Sequence, residues 1–133
     1  MLGKNHILSA HSVAVIGKLT YDYGVEHQWV SPDVQEFCNA VYVKASGPLV
    51  SLGIHNEWLI WIIFIALYTF GTLLPDIDSS NSLLGRWFYL PVEHRGATHT
   101  MWALGILLLA GIGLPLVIPV ALGYFVHLWM DDL

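Results

Sequence analysis

Two hydrophobic runs, each without an Asp, Glu, Lys or Arg residue, constrain what this chain can fold into. The first covers residues 58–74 and the second covers residues 101–130. A helix that crosses a bilayer needs about 20 consecutive apolar residues, so the first run falls just short of a comfortable span. Both runs predict helices that are buried in a bilayer or in a helical bundle, and Pro75 is predicted to end the first helix.

The second run is interrupted in its middle by two glycines and two prolines, Gly111, Gly113, Pro115 and Pro119. Because these residues disfavour a helix interior, the run predicts a helical hairpin that turns near residues 111–115. In an antiparallel hairpin, position 99 lies opposite about position 127. His99 and His127 are therefore predicted to return to the same end of the fold.

The N-terminal half is more polar. Residues 7–16 predict a short helix that ends near Gly17. His6 and His11 interrupt the apolar stretch of the first 17 residues, which argues against a secretory signal. A second helix is predicted to begin at Pro32 and to continue for about ten residues. Residues 18–57 are predicted to form a polar extramembrane excursion of a single membrane domain that covers residues 1–133.

Composition supports a membrane class. Hydrophobic residues make up 56% of the chain and charged residues 11%, with a mean hydropathy of +0.61, whereas soluble domains carry about 25% charge. The prediction is an all-α fold, a small integral membrane helical bundle with short hydrophobic helices, with the lipid bilayer as a partner. The net charge of −5 argues against nucleic acid as the main partner. A single cysteine, Cys38, excludes an intrachain disulfide and a Cys-rich zinc module.

Ionisable side chains are concentrated at the ends of the hydrophobic runs. The segment between the runs carries Asp76, Asp78, Glu93, His94, Arg95 and His99. Carboxylates and imidazoles together are ligands of divalent metals. His127 and Asp131 are four residues apart and share one helix face. With the predicted hairpin, these residues indicate a metal site at one membrane-proximal face.

Each of these elements also has a simpler structural explanation. The Asp-x-Asp pair that follows Pro75 is typical of a solvated turn. The loop with His94 and Arg95 is compatible with lipid headgroup contacts, and a histidine such as His127 is often a hydrogen-bonded core residue. Thr98 is a natural N-cap for the helix that follows it. Only the occurrence of all the elements together favours a metal site.

The combination resembles a known family. The order of His6, L-P-D-I-D at 74–78, N-S-L-L-G-R at 81–86, H-R-G-A-T-H-T at 94–100 and G-Y-F-V-H-L-W-M-D at 123–131 is similar to the YdjM-like family of bacterial inner-membrane, metal-dependent hydrolases. The resemblance is loose over residues 1–17 and close over 58–132. It implies a multi-pass protein of the inner membrane. Its polar pattern falls on His6, Asp76, Asp78, His94, His99, His127 and Asp131. A more distant similarity to the zinc-dependent phospholipase C and nuclease superfamily implies phosphoester hydrolysis.

These observations predict a membrane-bound hydrolase that attacks a phosphoester with a metal-activated water. The predicted metal ligands are Asp76, His99, His127 and Asp131, and the additional or second-metal ligands are His6, Asp78 and His94. Arg95 is predicted to stabilise transition-state charge, and Asp78 is assigned with it to the catalytic set. Several imidazoles favour zinc, while the carboxylates leave manganese or nickel open.

Two other functions fit the same residues. The first is a non-catalytic membrane protein in which a structural metal ties short helices together, serving as an interaction protein or a phage-type accessory protein. The second is a metal-ion permease, which would need ligands at the middle of the membrane, whereas the predicted ligands lie at helix ends. The sequence leaves a second copy of the chain or another membrane protein open as a partner, and such a partner would supply any missing wall of a substrate pocket.

Overall fold

Five α-helices form the described part of the chain: α1 Leu2–Glu26, α2 Pro32–Ser51, α3 Glu57–Leu73, α4 Met101–Gly113 and α5 Val117–Asp131. Two short 3-10 helices, Pro75–Asp78 and Ala97–His99, lie between α3 and α4. The computed structural model describes residues 2–80, 82–88 and 97–131, and the side chains of 8–80, 82–88 and 98–131. No strand occurs in these ranges, which confirms the all-α prediction.

Helix α1 is longer than predicted. It continues through Gly17 to Glu26, so the predicted end near Gly17 is wrong. One glycine costs a helix only about 1 kcal/mol, and packing against a neighbouring helix offsets that cost. The Tyr68 hydroxyl of α3 donates to the Ala10 carbonyl at 2.9 Å, and Lys18 lies 5.8 Å from the Trp61 ring centre. These contacts pair α1 with α3 in an antiparallel orientation.

Helix α2 begins as predicted, at Pro32, with the Ser31 hydroxyl accepting from the Val34 N–H. It extends to Ser51 and includes Pro48, so the predicted length of about ten residues was too short. Proline removes one backbone donor inside a helix. Leu49, the next residue, is buried in a cluster that α2 shares with α3, and this packing compensates for the lost hydrogen bond.

Helix α3 and the hairpin follow the sequence prediction closely. Asn56 caps α3 by accepting from the Leu59 N–H, and Pro75 opens a 3-10 helix directly after α3. The chain reverses between α4 and α5, at residues 114–116. The glycine and proline cluster therefore marks the hairpin turn. Helix α4 ends at Gly113 and α5 begins at Val117, close to the turn predicted near residues 111–115.

Two glycines let α3 and α5 approach each other at backbone distance. A Cβ atom on Gly71 would lie 2.1 Å from the Val120 carbonyl oxygen, and one on Gly123 would lie 2.1 Å from the Tyr68 carbonyl oxygen. No side chain fits at either distance, so each glycine is required by the opposite helix. The pair α3 and α5 is the most extensive helix contact of the fold, and it sets the position of the candidate site.

Large apolar side chains remain exposed over much of the described surface. The buried core is small: one cluster joins α2, α3 and the hairpin turn, and a second joins α4 and α5. Exposed residues on the helices include Leu19, Phe37, Ile62, Ile106 and Leu109. Among the residues that the structure describes, no helix combines the length and the hydropathy needed to cross a membrane.

Candidate metal centre

Three ligand-type side chains from three separate segments converge at one end of the central helix pair. Asp76 comes from the 3-10 helix after α3, His99 from the 3-10 helix before α4, and His127 from α5. One nitrogen or oxygen atom of each lies within 4.8 Å of the others, so the three side chains can hold a metal ion. The two imidazole rings are 5.6 Å apart, centre to centre. The helical hairpin brings His99 and His127 together in the way that the glycine and proline cluster predicts.

Asp131 adds a second carboxylate to this group. Its Oδ2 lies 3.2 Å from His99 Nε2 and 3.4 Å from His127 Nε2. Oδ1 of Asp76 lies 3.6 Å from His127 Nε2 and 3.9 Å from His99 Nε2. Ligands about 2.1 Å from a tetrahedral zinc ion are about 3.4 Å from one another. The spacing of Asp76, His99 and His127 therefore fits a shared cation, and Asp131 lies beside both imidazoles.

The orientation of His127 is set by the backbone of α3. Nδ1 of this fully buried imidazole lies 2.6 Å from the Thr72 carbonyl oxygen. A carbonyl oxygen only accepts hydrogen bonds, so Nδ1 carries the hydrogen, and in the neutral ring the Nε2 lone pair faces the carboxylates. Backbone carbonyls orient metal-ligating histidines in the same way in known metal sites.

On the other side of His99, Nδ1 lies 3.4 Å from the Thr98 hydroxyl and faces a buried carboxylate, Asp78. Oδ2 of Asp78 lies 3.8 Å from His99 Nδ1 and accepts a hydrogen bond from the Thr98 hydroxyl at 2.7 Å. Burial lowers the pKa of His99, although the charges of Asp78 and Asp131 act in the opposite direction. The neutral imidazole, which is the form that binds metals, is therefore favoured at this position.

The segment that carries Asp76 is held by Ser82. The Ser82 hydroxyl donates to the Asp76 carbonyl at 2.6 Å and accepts from the Gly85 N–H at 2.8 Å. A Cβ atom on Gly85 would lie 2.0 Å from the Ser79 carbonyl oxygen, so only glycine fits in this turn. The N-S-L-L-G-R motif thus has a visible role, because its Ser82 and Gly85 fold the chain back onto the Asp76 backbone.

The structure places the predicted site residues in three groups. Asp76, His99, His127 and Asp131 come together, while Asp78 lies behind His99, on the side of its Nδ1. His94 and Arg95 lie outside the described residues, as does the side chain of His6. Because α1 and α3 are antiparallel, the N-terminal part of the α1 backbone lies toward the end of α3 that precedes Asp76. The roles of His6, His94 and Arg95 remain predictions.

One predicted cap is wrong, and several supporting residues were missed. Thr100 caps α4, because its hydroxyl accepts from the Ala103 N–H, whereas Thr98 contacts Asp78. The Tyr124 hydroxyl donates to the Thr98 carbonyl and thereby ties α5 to the His99 segment. The sequence carries no signal that the Thr72 carbonyl contacts His127. The role of Tyr124 was detectable, because it is a polar residue one helical turn before His127 on the same face of α5.

The two carboxylates are the less deeply buried side of the centre. The side chains of Asp76 and Asp131 are each 14% exposed, whereas those of His127 and Asp78 are at 0%. The imidazoles and the orienting Asp78 form the buried wall of the centre.

Comparison with known proteins gives one family and no individual relative. No curated protein and no solved structure matches the chain. The model of the YdjM inner membrane protein family matches residues 1–133, and its description names the inner membrane. The sequence resemblance is thereby confirmed, and the chain belongs to the YdjM inner membrane protein family over its whole length.

Proposed function

We propose that this protein is a metal-dependent hydrolase of the inner membrane that cleaves phosphoesters. One observation carries the proposal: ligand atoms of Asp76, His99 and His127 lie close enough together to hold a metal ion, and Asp131 Oδ2 lies within 3.4 Å of both Nε2 atoms. In the neutral form of His127, the Nε2 lone pair faces Asp76 and Asp131. A cation between these groups relieves the repulsion among their electron pairs.

Zinc is the proposed metal, since two imidazoles and two carboxylates are its ordinary ligands. When bound, such a cation lowers the pKa of a water molecule and polarises a phosphoryl oxygen. Asp76, His99, His127 and Asp131 hold the metal in this proposal, and Asp78 keeps His99 in position. Arg95 is assigned to the phosphate charge of the substrate, because a guanidinium pairs with two phosphate oxygens at once.

Exposed tryptophans support a location of the centre at a membrane surface. Trp102 follows His99 by three residues, Trp129 lies between His127 and Asp131, and Trp87 follows the turn of Ser82, and all three are exposed. Tryptophan is enriched where bilayers meet water. We therefore propose that the short apolar helices are embedded in the inner membrane, in several passes with partner chains, and that the centre lies at headgroup level.

A structural metal site is the second candidate, and the geometry gives it specific support. The ligands come from the segment after α3, from the segment before α4 and from the last turn of α5. A cation at this point joins three segments that only a small core otherwise holds together. In this alternative the protein binds metal, turns over no substrate and acts as an interaction or accessory protein.

Metal analysis of the purified protein, combined with a panel of phosphomonoesters, phosphodiesters and phospholipids, tests both candidates. Wild-type protein is expected to retain close to one zinc per chain, and His127→Ala to lose it, because the fully buried imidazole supplies a ligand atom. His55→Ala is the matched control, since His55 is exposed in the turn between α2 and α3. Metal retention with zinc-dependent turnover supports the hydrolase, and retention without turnover supports the structural role. A wild-type protein that stays free of metal after reconstitution overturns both.

A further inference from the structure

A second concave site lies between α1, α2, α3 and α5 and contains none of the metal-centre residues. It is a cavity of about 650 Å³, a volume within the range of small-molecule sites in proteins. Its walls are almost entirely apolar, and they include Val15, Leu19, Val41, Phe64, Ile65 and Leu122. This site is referred to below as the α1–α2 groove.

The groove is formed because α1 contacts α3 at two separated levels. At one level the Tyr68 hydroxyl donates to the Ala10 carbonyl, and His11 Nε2 lies 2.9 Å from the Thr69 hydroxyl. Two helical turns further along α1, Lys18 lies over the Trp61 ring at 5.8 Å. Between the two levels the α1 residues that line the groove are Ala14 and Val15, whose short side chains leave the space between the helices open.

The chemistry of the walls selects a hydrocarbon ligand. At the level of Ala10 and His11, the polar side chains already form hydrogen bonds: Tyr68 with the Ala10 carbonyl, and His11 with Thr69. A peptide would bring backbone N–H and C=O groups that apolar walls leave unsatisfied, which is costly. An alkyl chain has no such groups, and its burial covers apolar surface such as Val15 and Leu19, which are more than half exposed.

At the other end of the groove, Lys18 lines the wall and pairs with Asp22, which lies one helical turn further along α1. The Lys18 ammonium lies 2.5 Å from a carboxylate oxygen of Asp22, and both side chains are about half exposed. A zwitterionic headgroup matches this arrangement, with its phosphate at Lys18 and its ammonium at Asp22. The distance from Lys18 to His11 along α1 is about 10 Å at 1.5 Å per residue, enough for a substantial part of one extended alkyl chain.

We propose that the α1–α2 groove holds one acyl chain of a zwitterionic membrane phospholipid, with the headgroup at Lys18 and Asp22. Membership of an inner membrane family puts such lipids within reach of the protein. The acyl chain is held by apolar contacts along α1, and the Lys18–Asp22 pair determines at which end of the groove the headgroup lies. The proposal does not depend on metal or on catalysis.

Cys38 lines the groove and is the only cysteine of the chain, so it reports occupancy. The full-length protein is incubated with phosphatidylethanolamine, phosphatidylglycerol or a free fatty acid. Retained lipid is counted by native mass spectrometry, and the rate of Cys38 labelling by a maleimide is measured. At phosphatidylethanolamine concentrations about ten times Kd, labelling is expected to slow about tenfold, because about one site in ten stays empty.

Variants locate the lipid in the groove. Ala14→Trp places a large ring in the empty space and is expected to abolish both lipid retention and protection of Cys38. Ala40→Trp is the control, since Ala40 is exposed on α2 and is not among the residues that line the groove. Val41→Trp fills the groove from the opposite wall if Ala14→Trp impairs folding. Zinc content is expected to be unchanged in all three.

Two results would overturn the proposal. Equal retention of phosphatidylethanolamine by wild type and both groove-filling variants would place the lipid elsewhere on the apolar surface. Equal or stronger protection of Cys38 by phosphatidylglycerol or by the free fatty acid would remove the zwitterionic headgroup assignment. Loss of preference among these ligands in Lys18→Met, with binding of the alkyl chain retained, is the expected result for a headgroup at Lys18.

Discussion

The His127 imidazole and the Thr72 carbonyl form a buried hydrogen bond of 2.6 Å across α3 and α5. Thr72 is the residue after Gly71, and His127 lies one helical turn after Gly123, so the bond sits where the two backbones are closest. The close approach of the helices thus determines which nitrogen of His127 faces Asp76 and Asp131. Packing at the glycines and the chemistry of the candidate centre are coupled through this one contact.

Gly123→Ala should weaken both the fold and metal binding. Its Cβ would lie 2.1 Å from the Tyr68 carbonyl oxygen, so α3 and α5 must separate and Thr72 must move away from His127. Overpacking of this kind costs about 1–3 kcal/mol in the free energy of unfolding. Thermal unfolding and a zinc titration measure the two effects. Gly105→Ala is the control, because nothing lies within 4 Å of its added Cβ atom, and it should change neither property.

Asp78→Asn should lower metal affinity without removing a ligand. The carboxylate accepts from Thr98 and lies beside His99 Nδ1, so its replacement leaves His99 less firmly oriented. Loss of such a supporting carboxylate costs about 10- to 100-fold in metal affinity. Asp76→Asn, which alters a predicted ligand, should cost more than Asp78→Asn in the same competition assay with a chelator. If Asp78→Asn were the more damaging of the two, Asp78 would itself be a ligand.

His99 should titrate below the ordinary histidine pKa of about 6.5 in the metal-free folded protein. Burial favours the neutral ring, so folding is opposed by protonation of His99. The contribution of His99 to stability is present above the unfolded-state pKa and is lost as the pH falls through the interval between the unfolded and folded values. Proton NMR of the His99 ring, compared with the same protein in urea, measures the difference. A folded-state midpoint above the urea value would contradict it.

Arg95→Ala should reduce turnover and leave the metal content nearly unchanged, since Arg95 is assigned to the substrate. His99→Ala should remove both turnover and metal, because it deletes a predicted ligand. Phosphoester hydrolysis and elemental analysis on the same preparations separate the two variants. Metal loss in Arg95→Ala as large as in His99→Ala would show that the division of roles is wrong.

Local signals in the sequence were sufficient for most helix bounds. Proline, serine and asparagine have side-chain chemistry that acts within a few residues, which is why the start of α2 at Pro32 and the break at Pro75 were predictable. Glycine is a weaker signal. Gly17 lies inside α1, whereas Gly71 and Gly123 do not end helices but allow two helices to touch, and that difference depends on what lies opposite each residue.

The convergence of Asp76, His99, His127 and Asp131 was predictable because it depends on the position of one chain reversal. The sequence alone determined the ligand types, the i, i+4 pair on α5 and the hairpin that returns His127 to His99. Only the tertiary structure decided that Asp78 lies behind His99 and that the Thr72 carbonyl orients His127. These contacts join residues 21 and 55 positions apart, and they follow from the packing of whole helices, which no local pattern encodes.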